Sequence, residues 1–229
     1  MMNRMQLTAR LQKVYDTARM WRDQVNGEAG QRLIDVGSDH GYVSLEALIT
    51  GDYAKVVATD IHKDPAQKTR ETLFSHGFGE KSTVVCTDGL KGVDLIEGDT
   101  VIMAGLGGNN MMDIMSAAYE VTSPEILKSV VWCLQPQKTI EELRVYLSAN
   151  GYEIKDETVI NDRGLFYPIL VAVYDGVVRD LTLYEKYFGP VLKNKTEEAI
   201  VAEYFAKLHD IYTLRARGDE EIAELMKTV

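Results

Sequence analysis

Apolar positions along this chain change period several times, and the changes divide it into elements. From Met5 to about Val25, Leu7, Leu11 and Val14 recur at helical spacing and Ala18 and Trp21 continue that face, which predicts an N-terminal helix. The pattern then turns to short continuous apolar runs. Arg32–Gly37, Lys55–Asp60, Thr83–Asp88, Thr100–Gly105 and Ser129–Leu134 each read as a strand buried on both faces. Helical stretches separate them: Tyr42 to Ile49, a helix that follows Asp64-Pro65 and runs toward Gly77, Asn109 to Tyr119, and Thr139 to Asn150 before Gly151. Two last strands, Tyr152–Ile160 and Phe166–Tyr174, flank the turn Asn161-Asp162-Arg163-Gly164 with no helix between them, so they pair as a hairpin at one sheet edge.

Alternation of strand and helix with doubly buried strands predicts an α/β fold, a doubly wound, Rossmann-like sheet of seven strands preceded by one helix. Five β–α units closed by a hairpin resemble the arrangement of class I methyltransferases. After Gly176 the composition shifts and Gly189-Pro190 marks a break. Beyond it Ala199, Ile200, Tyr204, Leu208, Ile211 and Leu214 recur at helical spacing up to Gly218, and Asp219 to Lys227 reads as a further short helix. This predicts an α-helical coiled-coil appendage over residues 177–229, attached to a catalytic-type domain over residues 1–176.

With 229 residues, 45% hydrophobic and 26% charged, the chain has the composition of an ordinary globular protein. Its two cysteines, Cys86 and Cys133, fall inside strand patterns, so two buried thiols and a reducing compartment are expected. No apolar run reaches the roughly 18 residues of a membrane span, and the N-terminal segment lacks the apolar core of a secretory signal. A cytoplasmic protein without membrane contact is expected, with a monomer favoured. The net charge of −10 argues against a general nucleic-acid coat protein. The first 32 residues are locally positive, through Arg4, Arg10, Lys13, Arg19, Arg22 and Arg32.

Candidate chemistry gathers at the strand ends, where such sheets bind ligands. The first strand ends in Asp35-Val36-Gly37-Ser38-Asp39-His40-Gly41. A nucleotide-binding turn would carry three glycines; here only Gly37 and Gly41 stand. An acidic turn of this kind suits the sulfonium and amino groups of S-adenosyl-L-methionine, and a plain strand–helix turn would use the same residues. Asp60, with Ile61 beside it, ends the second strand, where a carboxylate accepts ribose hydroxyls of either that cofactor or NAD. Asp88-Gly89 ends the third; it is an adenine-side contact or a turn-forming pair. After the fourth strand, Ala104-Gly105-Leu106-Gly107-Gly108 forms a floor poor in side chains, open to a methyl acceptor or needed for close packing. Gln135 or Gln137, after the fifth strand, could meet a base edge. His62, His76 and His209 read as solvated; His40 lies within the first motif. No spaced ligand set suggests a metal.

Taken together these motifs resemble the bacterial tRNA adenine-N1 methyltransferase family that modifies position 22, over nearly the whole chain. Carrying the resemblance are Leu7 with Arg10-Leu11, Asp35-Val-Gly-Ser-Asp-His40, Ala104-Gly-Leu-Gly-Gly108, Leu134-Gln-Pro136, Phe166-Tyr167 and Phe188-Gly-Pro-Val-Leu192. The chain departs from the family at Gly41-Tyr42-Val43-Ser44, where alanine, tyrosine and proline are usual, and at Gln137, where asparagine is usual.

The resemblance implies methyl transfer from S-adenosyl-L-methionine to N1 of an adenosine in the tRNA D-arm. It implies a cofactor site of Asp35, Gly37, Asp60, Ile61, Asp88, Gly89, Ala104 and Gly105. Asp39 and His40 become the catalytic candidates, with Asp39 set to stabilise the cationic product base. Gly107, Gly108 and Gln135 would meet the base, and Arg10, Lys13 and Arg19 would grip tRNA phosphates. A methyltransferase for a small molecule or protein, a nucleotide-linked oxidoreductase and a non-catalytic binding module remain as other readings.

Overall fold

The computed structural model describes residues 7–27 and 30–228. The first helix, α1, is Ala9–Asn26; it starts where the Thr8 hydroxyl accepts from Leu11 N at 3.3 Å and ends at Gly27, which takes a φ of 54°. The predicted start at Met5 lies outside the described residues. There follow β1 (Arg32–Val36), α2 (Tyr42–Thr50), β2 (Lys55–Asp60), α3 (Lys63–Ser75), β3 (Ser82–Cys86), β4 (Thr100–Leu106) and α4 (Gly108–Val121). Next come α5 (Pro124–Leu127), β5 (Val131–Pro136), α6 (Ile140–Ala149), β6 (Tyr152–Asp162) and β7 (Leu165–Tyr174).

The seven strands form one sheet in the order β3-β2-β1-β4-β5-β7-β6. β1 to β5 are parallel, and β7 runs antiparallel to both β5 and β6. Strand order reverses between β1 and β4, which opens a crevice at their carboxyl ends. One face of the sheet is covered by α4, α5 and α6 through Met111, Met115, Leu127, Leu143 and Leu147. The other is covered by α1, α2 and α3 through Val14, Ala18, Leu45, Leu48 and Leu73. This two-sided cover is why the strands read as unbroken apolar runs.

Several boundaries differ from expectation for local reasons. β5 begins two residues late because Ser129 is used in the preceding turn, its Oγ accepting from Gly98 N at 3.0 Å. Helix α5 was not expected; Ser123 caps it and Pro124 occupies its first turn. The hairpin strands run longer than predicted because the turn is only Arg163-Gly164, both at positive φ (54° and 82°), with Asp162 opposite Leu165. Cys133 is buried, but Cys86 is exposed: β3 is an outer strand, so its end has one neighbour and no cover.

Beyond the sheet lie α7 (Leu183–Phe188), α8 (Ala199–Arg215) and α9 (Glu220–Leu225). They form an apolar cluster of Phe188, Leu192, Val201, Tyr204, Leu208, Tyr212 and Ile222 that seats on Val159 and Phe166 of the hairpin. The expected helices are present, but α9 has six residues, too short for a heptad seam with α8. The appendage is a helical cap held to the hairpin by aromatic packing.

Candidate active site

A cavity of about 710 Å³ opens at the carboxyl ends of β1, β2 and β4. That is ample for a nucleoside-sized ligand. The loop after β1 builds one wall. Gly37, at a φ of 76°, and Asp39, at 52°, hold left-handed conformations. The loop is pinned by Gly41 N donating to Ser38 O at 2.7 Å, by Ser38 against Thr69 at 3.1 Å and by the Thr69 hydroxyl donating to Asp39 O at 3.1 Å. A β-carbon on Gly41 would strike Thr69 Cγ2 at 2.7 Å, so only glycine permits this close approach of α3.

Carboxylates are distributed around the cavity by the strand ends. Asp35 is buried and accepts from Ser44 N at 3.2 Å and Ser44 Oγ at 2.7 Å. Burial pushes its carboxyl up to about 6, partly offset by the two Ser44 donors, with Asp60 adding to the rise. Asp60 Oδ2 accepts from Asp39 N at 3.1 Å and its Oδ1 from His62 N at 2.9 Å. Each of these oxygens keeps a lone pair free for a ligand hydroxyl. Exposed Ile61 continues the same wall. Asp88 pairs with Lys91 at 2.6 Å, and Gly89 admits α4, since a β-carbon there would meet Ile114 at 2.5 Å.

The floor is Ala104-Gly105-Leu106. Gly105, at a φ of 82°, sits where the β4–β5 register shifts, so the strand bulges just beneath the cavity. Asp39 and His40 stand at the rim. His40 stacks on Tyr42 (centroids 5.4 Å apart, rings 10° apart), and its Nε2 is 3.7 Å from Asp39 Oδ1.

All eight expected cofactor residues line this one cavity, as do Asp39, His40 and Arg10. The remaining expected contacts do not. Gln135 is fully buried and accepts from Arg10 Nη1, so it aims Arg10 and does not face the cavity. Gly107 caps α4, and Gly108 donates its N–H to Lys138 O at 3.0 Å. A β-carbon on Gly108 would lie 2.4 Å from Thr139 O, so close packing explains this glycine. Lys13 and Arg19 lie along α1 beyond the cavity wall, and Arg19 is 3.8 Å from Asp52, ahead of β2 at the opposite end of the sheet. At about 1.5 Å of rise per residue α1 carries Arg19 some 13 Å from Arg10.

Asn110 and Asp113 of α4 also line the cavity, and the sequence reading did not select Asp113. The signal was available: they are polar residues three apart within the run Met111, Met112, Ile114, Met115. Among the described residues, no group of three His, Cys, Asp or Glu side chains has the arrangement of a metal site.

A family model described as tRNA (adenine(22)-N(1))-methyltransferase matches residues 33–228. The chain belongs to that family. The match runs from β1 through the helical cap and takes in the cavity lining apart from Arg10 and Leu11 of α1. A Mycoplasma pneumoniae protein named as a tRNA methyltransferase is 30% identical over 201 residues, 85% of this chain and 90% of that protein. The Bacillus subtilis tRNA (adenine(22)-N(1))-methyltransferase is 27% identical over 184 residues, 77% of this chain and 71% of its own length. A solved Streptococcus pneumoniae structure, described as a tRNA (m1A22) methyltransferase in complex with S-adenosyl-L-methionine, superposes with a TM-score of 0.78. At 23% identity, over 97% of each chain, that likeness speaks for the fold. No helix among the described residues is long and apolar enough to cross a membrane.

Proposed function

We propose that this chain transfers a methyl group from S-adenosyl-L-methionine to N1 of adenosine 22 in tRNA. One observation carries the reading: in a member of this family, the acidic strand ends Asp35, Asp60 and Asp88 share a single cavity with the side-chain-poor floor Ala104-Gly105.

The donor set fits the cofactor. Asp60, with both oxygens oriented by backbone amides, would accept ribose hydroxyls; Ile61, Asp88 and Gly89 would border the adenine side; Asp35, Gly37, Ala104 and Gly105 would surround the amino-acid portion and the sulfonium. The bound cofactor supplies an electrophilic methyl group. Gly105 leaves the acceptor base room to come in line with it. Adenine N1 would attack the methyl carbon with its own lone pair as the carbon–sulfur bond breaks and the sulfonium leaves as a neutral thioether, so no protein base has to remove a proton first. The base becomes cationic as the bond forms, and the Asp39 carboxylate at the rim supports that charge. N1 lies on the Watson–Crick edge, so the nucleotide must leave any pair before it enters the cavity.

Arg10 meets the substrate inside the cavity. Lys13 and Arg19, outside the cavity, act on the tRNA backbone. We further propose that residues 1–176 hold the chemistry and 177–229 contact RNA as a unit. The separate apolar cluster of the cap supports this division. The working state is a cytoplasmic monomer. A transcript with guanosine at position 22 tests the reading: labelled methyl from the cofactor enters the wild-type tRNA and not the altered one. Equal labelling of both would overturn the assignment of the position.

A further inference from the structure

Two side chains from opposite ends of the domain frame the space above Gly105. A β-carbon placed there would lie 3.5 Å from Arg10 Nη1 and 3.5 Å from Gln137 Nε2. Arg10 is held in place: its Nη1 donates to buried Gln135, whose own Nε2 donates to Pro136 O at 2.9 Å, and its guanidinium lies over the Tyr167 ring, 5.4 Å from the centroid. Arg10 therefore walls the seat. Gln137 is anchored only through its backbone, where its N–H donates to Leu106 O at 2.9 Å. Its side-chain amide borders the cavity and has no partner among the described residues.

An amide with both its donor and its acceptor free matches one edge of adenine. Attack by N1 turns the Watson–Crick edge toward the methyl group and leaves N6 and N7 to be read from the flank. We infer, resting on the adenosine-methylation reading above, that Gln137 selects adenine by accepting from the N6 amino group and donating to N7. Guanine presents two acceptors, O6 and N7, on the same edge. Whichever way the amide is turned, its oxygen then faces an acceptor. Gln135, two residues earlier on the same strand end, leaves this role to Gln137 because it is buried holding Arg10.

The test uses the whole enzyme with tRNA carrying adenosine, 7-deazaadenosine or 3-deazaadenosine at position 22, each with wild type and Gln137→Ala. Loss of the N7 contact lowers wild-type kcat/KM by about tenfold, whereas Gln137→Ala treats adenosine and 7-deazaadenosine nearly alike. Any change in N1 reactivity caused by the analogue is common to both enzymes and cancels in the comparison. The 3-deaza substitution has the same effect on both enzymes, and cofactor affinity is the same in both. A 7-deaza penalty of equal size in wild type and Gln137→Ala would overturn the inference while leaving the methyltransferase reading intact. Failure of wild type to methylate tRNA with ordinary adenosine 22 would remove both.

Discussion

Arg144 Nε donates to Glu157 Oε1 at 2.8 Å in a pair fully closed to solvent. The pair joins α6 to β6 and reaches past both. Arg144 Nη1 donates to the carbonyls of Lys186 (3.1 Å) and Tyr187 (3.0 Å), and Glu157 Oε2 accepts from Val191 N (2.8 Å) and Leu192 N (3.1 Å). Gly189 passes so close that a β-carbon would lie 2.5 Å from Glu157 Oε2, at a φ of 96° that itself favours glycine. The break at Gly189-Pro190 is thus where the helical cap is locked to the sheet.

Removing one partner strands a buried charge. Arg144→Met is expected to lower stability by about 3 kcal/mol or more, read as a drop in denaturation midpoint. Arg144→Met with Glu157→Gln keeps an acceptor for the two amides without the charge, and is expected to recover part of the loss. A single variant as stable as wild type would show that the cap is held by its apolar cluster alone.

Asp35 is expected to make stability and cofactor binding respond to pH in opposite directions. Its carboxyl lies at about 6 in the folded cofactor-free chain against an ordinary 3.8, chiefly through burial. The folded state therefore binds this proton more tightly, so the group's favourable contribution is complete below about pH 4 and lost as pH rises through about 6. Asp35→Asn keeps an acceptor for the Ser44 donors and avoids the buried charge. It is expected to stabilise the cofactor-free protein above pH 6 by about 2 kcal/mol, while weakening S-adenosyl-L-methionine binding. Wild-type affinity is expected to fall as pH drops through about 6. Calorimetric titration and thermal melts from pH 5 to 8 check both; a less stable Asp35→Asn variant at pH 8 would contradict this account.

Asp39 stands at the cavity rim, where its carboxylate is proposed to support the cationic base. Asp39→Ala is expected to reduce turnover by roughly tenfold or more, the range of a lost electrostatic contact in a transition state, with cofactor affinity nearly unchanged. Because residue 39 takes a φ of 52°, Asp39→Asn is the better-tolerated companion, and it should also be slow. An unaffected rate in both would remove Asp39 from the mechanism.

Gly105 separates room from packing. An added methyl group meets nothing closer than 3.5 Å, but it enters the space over the floor and carries a left-handed φ of 82°. Gly105→Ala is expected to reduce stability by about 1 kcal/mol and methyl transfer to tRNA far more than cofactor binding. Equal losses in both would mean that the glycine serves only the bulge.

The fold was legible because each level repeated the same message: apolar runs at the strands, acids or glycines at their ends, and a helix-free link between Tyr152 and Tyr174. The strand-end wall of the cavity was legible too, since strand ends map directly from sequence to space. The residues expected to meet the methyl acceptor were not. Gln135 and Gln137 differ by one pleat, and only the depth of β5 decides that the first is buried while the second borders the cavity. Arg10, Lys13 and Arg19 share a helix, but its direction brings only Arg10 to the cavity. Asp113 escaped notice because its role depends on how α4 turns over the floor.

The most direct measurement is primer extension on unmodified tRNA after incubation with the protein and S-adenosyl-L-methionine. A methyl group at adenine N1 blocks Watson–Crick pairing, so the account predicts a strong stop in the D-arm at position 22 that requires both enzyme and cofactor. Full-length extension through position 22, from a protein that binds the cofactor, would contradict it.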